Sequence, residues 1–192
     1  MGEISAISAI DPGAIGPGRL ILVVGPSGAG KDTLIRLAQV TCAGDSSLIF
    51  ARRVVTRAAT AHESNEQVSP EAFRLARIDG KFAVDWEAHG HCYALPRVID
   101  HDIRANHTVI ANVSRTVVDA MRRAYVNVTV VLITAPRGIL VERLLSRGRD
   151  SDGHIADRLS RGDGSVTPDF TITNIGGAED HARELVRIIR AD

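Results

Sequence analysis

The sequence predicts a three-layer αβα domain with a mostly parallel central sheet, a small inserted subdomain and an arginine-rich lid. Three observations carry that expectation. Strand-length apolar runs alternate with helix-like stretches along most of the 192 residues, as in a parallel sheet covered on both faces. The run Leu20 to Val24 passes through a glycine turn, GPSGAGKDT, directly into a helix-like stretch from Asp32 to Val40. Between the second strand and the resumed alternation, roughly Thr56 to Leu95, the chain turns polar and carries two short strands.

The glycine turn organises the rest. Gly25, four residues, Gly30 and Lys31 match the phosphate-binding loop spacing, in which glycines let the backbone wrap closely around a polyphosphate. Loop amides and the start of the following helix face the anion, where the helix dipole adds positive partial charge. Gly25, Pro26, Ser27, Gly28, Ala29, Gly30, Lys31, Asp32 and Thr33 are therefore expected to hold nucleotide phosphates, with Lys31 as the point charge on the β and γ groups. The position after the lysine usually carries a hydroxyl for Mg²⁺. Here it is Asp32, which can hold the ion directly or through water, with Thr33 in reserve. A carboxylate beside phosphates predicts a strict Mg²⁺ requirement.

Bulk properties narrow the alternatives. Acidic and basic residues balance at 23 each, so no global field draws the chain to nucleic acid or an anionic membrane. Lys31 and Lys81 are the only lysines, and the abundance of arginine is informative only where arginines are placed. Two cysteines, Cys42 and Cys92, make no disulfide framework. Residues 1–18 read as a loose extension before a 19–192 domain, and no run reaches membrane-spanning length. The expectation is a cytoplasmic protein with neither nucleic-acid nor membrane partners, and compatible with a homodimer.

In chain order, Leu34, Ile35, Leu37, Ala38 and Val40 give the first helix its apolar side, and Gly44 stops it. Leu48 to Val55 reads as strand two, and RRVVTR at 52–57 sets three arginines at its end, a plausible anion clamp. The polar segment that follows holds Glu63 in reach of a polar substrate. Ser69, Pro70 and Glu71 open a short helix. Phe82 to Glu87 and His91 to Ala94 flank a turn at His89 and Gly90. His89, His91 and Cys92 lack a partner pair elsewhere for a closed zinc site. Trp86 and Phe82 read as subdomain core.

Then come a helix near Pro96 to Ala105, a strand at Thr108 to Val113, a helix capped by Ser114, and a strand at Val128 to Ile133. A helix opened by Pro136 turns Leu140, Val141, Leu144 and Leu145 inward and ends in Arg147, Gly148, Arg149. Residues 150–153 form a glycine-bearing link to a basic segment with Arg158 and Arg161 on one helical face, so 147–161 suits a lid closing over phosphates. Phe170 to Thr173 is a last strand, Asn174 to Gly177 a turn, and Glu179 to Ala191 a final amphipathic helix.

A phosphate loop with two arginine groups around it points to phosphoryl transfer, which depends on positioning and charge neutralisation. No catalytic-base motif for an alcohol acceptor is visible. An acceptor that is itself a phosphate needs none, because its oxygen is already anionic near neutral pH.

GPSGAGKD at 25–32, RRVVTR at 52–57, WEAHGHCY at 86–93, NVSR at 112–115, RLLSRGR at 143–149 and RLSR at 158–161 resemble the guanylate kinase-like branch of the nucleoside monophosphate kinases, P-loop NTPases. Within that branch the chain looks most like the ribose 1,5-bisphosphate phosphokinases. The resemblance implies ATP and Mg²⁺ as cofactors and a phosphorylated sugar as acceptor, with ribose 1,5-bisphosphate converted to 5-phosphoribosyl 1-diphosphate in phosphonate degradation. It implies roles for Arg57 and Tyr93 on the acceptor phosphate, with Arg53 or Arg52 replacing a second arginine whose position is Thr60. Glu63 and Arg115 join that acceptor group. Arg147, Arg149 and Arg158, with Lys31, would neutralise the transferring phosphoryl, and Asn174 resembles an adenine-side contact. The family's guanine-reading Glu and Ser/Thr positions are here Val84 and Leu95, so GMP should be a poor substrate. A guanylate or other nucleoside monophosphate kinase is the nearest alternative reading, and a noncatalytic guanylate kinase-like binding module is another. The intact Gly30 and Lys31 count against the module.

Overall fold

The structure is a computed structural model and describes residues 13–57, 65–147 and 166–191, without the side chain of Arg147. Its elements are β1 (Ile15–Val24), α1 (Lys31–Thr41), β2 (Leu48–Phe50), β3 (Arg53–Val55), β4 (Asn65–Gln67), α2 (Pro70–Ile78), β5 (Phe82–Ala88), β6 (His91–Pro96), α3 (Val98–Arg104) and β7 (Thr108–Asn112). A single 3₁₀ turn, Arg115–Val117, leads into α4 (Val118–Ala124), followed by β8 (Tyr125–Thr134), α5 (Arg137–Arg147), β9 (Phe170–Thr173) and α6 (Ala178–Arg190).

Five strands form a parallel sheet in the order β2-β7-β1-β8-β9. Strand β1 is central, so both of its faces are covered and its side chains sort by parity. Leu20, Leu22 and Val24 pack with Ile99, Ile103, Val118 and Met121 on one side. Ile21 and Val23 pack with Leu34, Ala38, Leu185 and Ile189 on the other. The αβα layering expected from the sequence is present.

A second, four-stranded sheet has the order β4-β3-β6-β5. The sequence reads Leu48 to Val55 as one strand, and the structure divides it. Leu48 to Phe50 pair with β7 in the main sheet, while Arg53 to Val55 pair with β4 and β6 in the second. Ala51 and Arg52 make the crossing, and Ala51 N is held by the Ile110 carbonyl at 2.9 Å. Alternation then places Val55 in the large core and Val54 with Phe73, Phe82 and Ala94 beneath α2. The arginines are thereby carried to the junction of the two sheets.

Other expectations need correction. Strand β1 begins at Ile15, within the segment read as an extension. Ile15 packs on the core, and Asn127 Nδ2 donates to the Pro17 carbonyl at 2.7 Å. Val40 and Leu145, read as inward-facing, are 66 % and 63 % exposed. Leu145 lies about 100° around its helix from the buried Leu144, and Val40 about 160° from the buried Ala38, so both fall outside the covered arc. Pro96 ends β6, and α3 starts only at Val98. No described helix is long and apolar enough to cross a membrane.

Candidate active site

The site forms at the carboxyl ends of β1 and β7, where open parallel sheets bind ligands. Strand β1 delivers Gly25 at φ 146°, and a Cβ there would lie 1.9 Å from the Ile133 carbonyl oxygen, so the close strand approach demands glycine. Gly30, at φ 88°, serves as N-cap of α1, and the helix has no side-chain cap. Its first-turn amides are suited to an anion. Lys31 Nζ donates to the carbonyls of Gly25 and Pro26 at 2.8 and 3.0 Å, folding the cation back over the loop.

The loop is braced from behind. Asn174, at the end of β9, is 3 % exposed, and its Nδ2 donates to the Ala29 carbonyl at 2.8 Å. The amide is thus buried against the loop backbone. Arg143 on α5 donates to the carbonyls of Gly28 and Asn174 at 3.4 and 3.2 Å. Sequence reasoning missed its role, although it opens the RLLSRGR motif.

Asp32 is the junction with the second sheet. Its Oδ1 accepts from Asn112 Nδ2 at 2.7 Å and from Arg53 Nη2 at 3.0 Å. Asn112 ends β7, opposite Val23 in register. Arg53 begins β3, and its Nε donates to Asn65 Oδ1 at 3.2 Å. Asn112 and Asn65 are both buried. The first was visible only as part of NVSR, and the second had no sequence signal within a polar loop. Thr33 is half-buried one residue farther into α1.

On the second sheet, Arg57 Nε donates to the Tyr93 hydroxyl at 3.2 Å, and its guanidinium lies 5.9 Å from the centroid of that ring. Tyr93 stacks on Trp86 at 5.7 Å with 9° between planes. Both rings are buried in the main core, so of the two residues read as subdomain core Phe82 packs there and Trp86 does not. Thr56 fixes the adjoining backbone, its hydroxyl accepting from Cys92 N at 2.9 Å. Val84 and Leu95 are direct partners across β5 and β6. Arg115 is half-buried at the start of the 3₁₀ turn, just beyond Asn112. Glu63, Arg149 and Arg158 lie outside the described residues, as does the side chain of Arg147.

No family model matches the chain. A ribose 1,5-bisphosphate phosphokinase PhnN of Bradyrhizobium diazoefficiens is 57 % identical over 192 residues, covering 99 % of this chain and 97 % of that protein. The chain belongs to the ribose 1,5-bisphosphate phosphokinase family. Its relative from Rhodopseudomonas palustris is 58 % identical over 176 residues, 92 % of this chain and 90 % of that one. Among solved structures, the guanylate kinase of Anaplasma phagocytophilum superposes with a TM-score of 0.62 at 19 % identity, covering 92 % of this chain and 86 % of the other. That likeness establishes the guanylate kinase-like fold. The matched stretch includes both the phosphate loop and the second sheet.

Proposed function

We propose that the protein transfers the γ-phosphoryl group of ATP to the 1-phosphate of ribose 1,5-bisphosphate, forming 5-phospho-α-D-ribose 1-diphosphate and ADP. The observation that carries this reading is near full-length identity of 57 % to a ribose 1,5-bisphosphate phosphokinase. The geometry agrees with it. A phosphate loop lies on one side, an Arg57–Tyr93 pair suited to an acceptor phosphate on the other, and an apolar Val84–Leu95 pair occupies the guanine-reading positions.

Gly25 to Thr33 hold the donor phosphates, and Lys31 leaves its loop carbonyls for the β and γ oxygens. Arg57 and Tyr93 orient the acceptor phosphate, with Arg53, Arg115 and Glu63 completing its surroundings. Asn174 and Arg143 keep the loop in its phosphate-wrapping shape. Arg147, Arg149 and Arg158, in a lid over 147–161, gather charge around the transferring group. No general base is needed, since the attacking oxygen is anionic.

The donor set fits Mg²⁺, a hard cation that favours carboxylate, hydroxyl and phosphate oxygens. Asp32, with Thr33, would hold it, and bound there it would neutralise phosphate charge. Phosphate oxygens of the nucleotide would complete the coordination, as is usual for Mg²⁺ in such sites. We place the acceptor subdomain at about 56–95 of the 19–192 kinase domain, and the protein in the cytoplasm.

The test is a product assay with Mg²⁺, ATP and either ribose 1,5-bisphosphate or GMP. Consumption of the sugar bisphosphate with appearance of 5-phosphoribosyl 1-diphosphate is expected. Preferential turnover of GMP would instead make this a divergent nucleotide kinase.

A further inference from the structure

We infer that Arg53 couples the two substrate sites by exchanging Asp32 for the acceptor's phosphate when nucleotide binds. The inference rests on the acceptor reading above.

In a P-loop site the residue after the lysine is ordinarily a hydroxyl, and an acidic side chain is expected at a neighbouring strand end. Here the two chemistries are interchanged. The carboxylate is Asp32 at the helix start, and the strand end carries the amide Asn112. Both Asn112 and Arg53 direct donors at the same oxygen, Asp32 Oδ1, at 2.7 and 3.0 Å. An acid at 112 would set like charges within hydrogen-bond distance. The amide removes that repulsion and holds the carboxylate facing the second sheet.

Arg53 is the only one of these groups that belongs to the acceptor side. Its side chain is 13 % exposed, against 38 % for Asp32. The guanidinium is anchored at Nε by the buried Asn65, while Nη2 reaches across to the phosphate loop. It therefore has two anionic claimants: Asp32 on the donor side and the acceptor's phosphate on its own sheet. Taking Arg53 from Asp32 beside bound polyphosphate removes a neutralising cation from the carboxylate, which is costly. A divalent ion arriving with the nucleotide would offset that cost and ease the release of Arg53. Once released, the guanidinium fork is matched to phosphate oxygens. The acceptor then binds more tightly to the nucleotide-loaded enzyme, and by linkage the nucleotide binds more tightly to the acceptor-loaded enzyme.

Calorimetric titration of ribose 1,5-bisphosphate into the full chain, with and without Mg²⁺ and the unreactive analogue AMP-PNP, tests this without turnover. For the wild-type enzyme the analogue should tighten acceptor binding roughly 5- to 150-fold, the usual span of coupling between sites. Asp32→Asn, which is isosteric, should bind the acceptor more tightly than wild type in the absence of nucleotide, because Arg53 has lost its rival. Arg53→Met should lose affinity mainly in the nucleotide-bound state and abolish the coupling. In the Arg53→Met background, Asp32→Asn should bring no gain, which separates an effect through Arg53 from a general change of charge. Equal acceptor affinity with and without the analogue, or a gain from Asp32→Asn that persists without Arg53, overturns the coupling alone. Wild-type enzyme that binds no ribose 1,5-bisphosphate in either state overturns the acceptor reading and the coupling together.

Discussion

Val84 and Leu95 stand directly opposite one another in the antiparallel pairing of β5 and β6, and Leu95 is fully buried. The two positions that resemble guanine readers in sequence are thus cross-strand neighbours filled by hydrocarbon. GMP turnover should fall far below that of ribose 1,5-bisphosphate, since a base stripped of its hydrogen-bond partners loses large discrimination. Leu95→Ser should not create a GMP kinase. It should instead destabilise the fold by about 2–5 kcal/mol, as large-to-small core changes do, measurable by urea unfolding.

Lys31 rests on loop carbonyls that compete only weakly with phosphate oxygens. Lys31→Ala should therefore lower kcat by about 10²–10³, the loss typical of one preorganised charge-stabilising donor. Steady-state kinetics of ADP release would check it, and near-normal turnover would remove Lys31 from the reaction.

Tyr93→Phe keeps the stack on Trp86 and deletes only the hydroxyl that accepts from Arg57. A net hydrogen bond is worth about 0.5–1.5 kcal/mol, so the acceptor KM should rise roughly two- to tenfold. The unfolding midpoint should barely move.

Asn174→Ala removes the donor to the Ala29 carbonyl behind the loop. Leaving that buried carbonyl unpaired costs about 1–3 kcal/mol. Weaker ATP-analogue binding with unchanged acceptor binding is the expected calorimetric result. An equal loss at both sites would contradict the bracing role.

The Tyr125 hydroxyl donates to Asp100 at 2.5 Å inside the main core, and burial first, then that bond, pushes its pKa above the ordinary tyrosine value. The folded state thus favours the protonated phenol. Its stabilising contribution is complete below pH about 10, where the unfolded phenol is also protonated, and declines as pH rises beyond that value. Tyr125→Phe should flatten the alkaline loss of stability, and at neutral pH should cost about 1–3 kcal/mol by leaving the Asp100 carboxylate short of a donor. Urea unfolding as a function of pH reads both effects.

The parallel sheet, the phosphate loop and the Ser69 and Ser114 caps were legible because each depends on near neighbours in sequence. The unbroken apolar run Leu20 to Val24 dictates a strand buried on both faces, and the glycines of 25–30 dictate a loop with positive φ. The Ser69 and Ser114 side chains accept from Ala72 N and Thr116 N, contacts two or three residues away. Where helix faces were misjudged, at Val40 and Leu145, the periodicity was sound, but the width of the covered arc depends on what packs opposite.

The sequence by itself determined the αβα order, the glycine loop with its lysine and the placing of three arginines at 52–57. Only the tertiary structure decided which of those groups meet. Asp32 joins Asn112, 80 residues away, and Arg53, 21 residues away, because β7 lies beside β1 and the chain crosses between sheets at Ala51 and Arg52. Asn174 likewise reaches the loop 145 residues before it, through the pairing of β9 with β8. Such contacts follow from strand order, which is set by the packing of the whole core and leaves no local pattern in the chain.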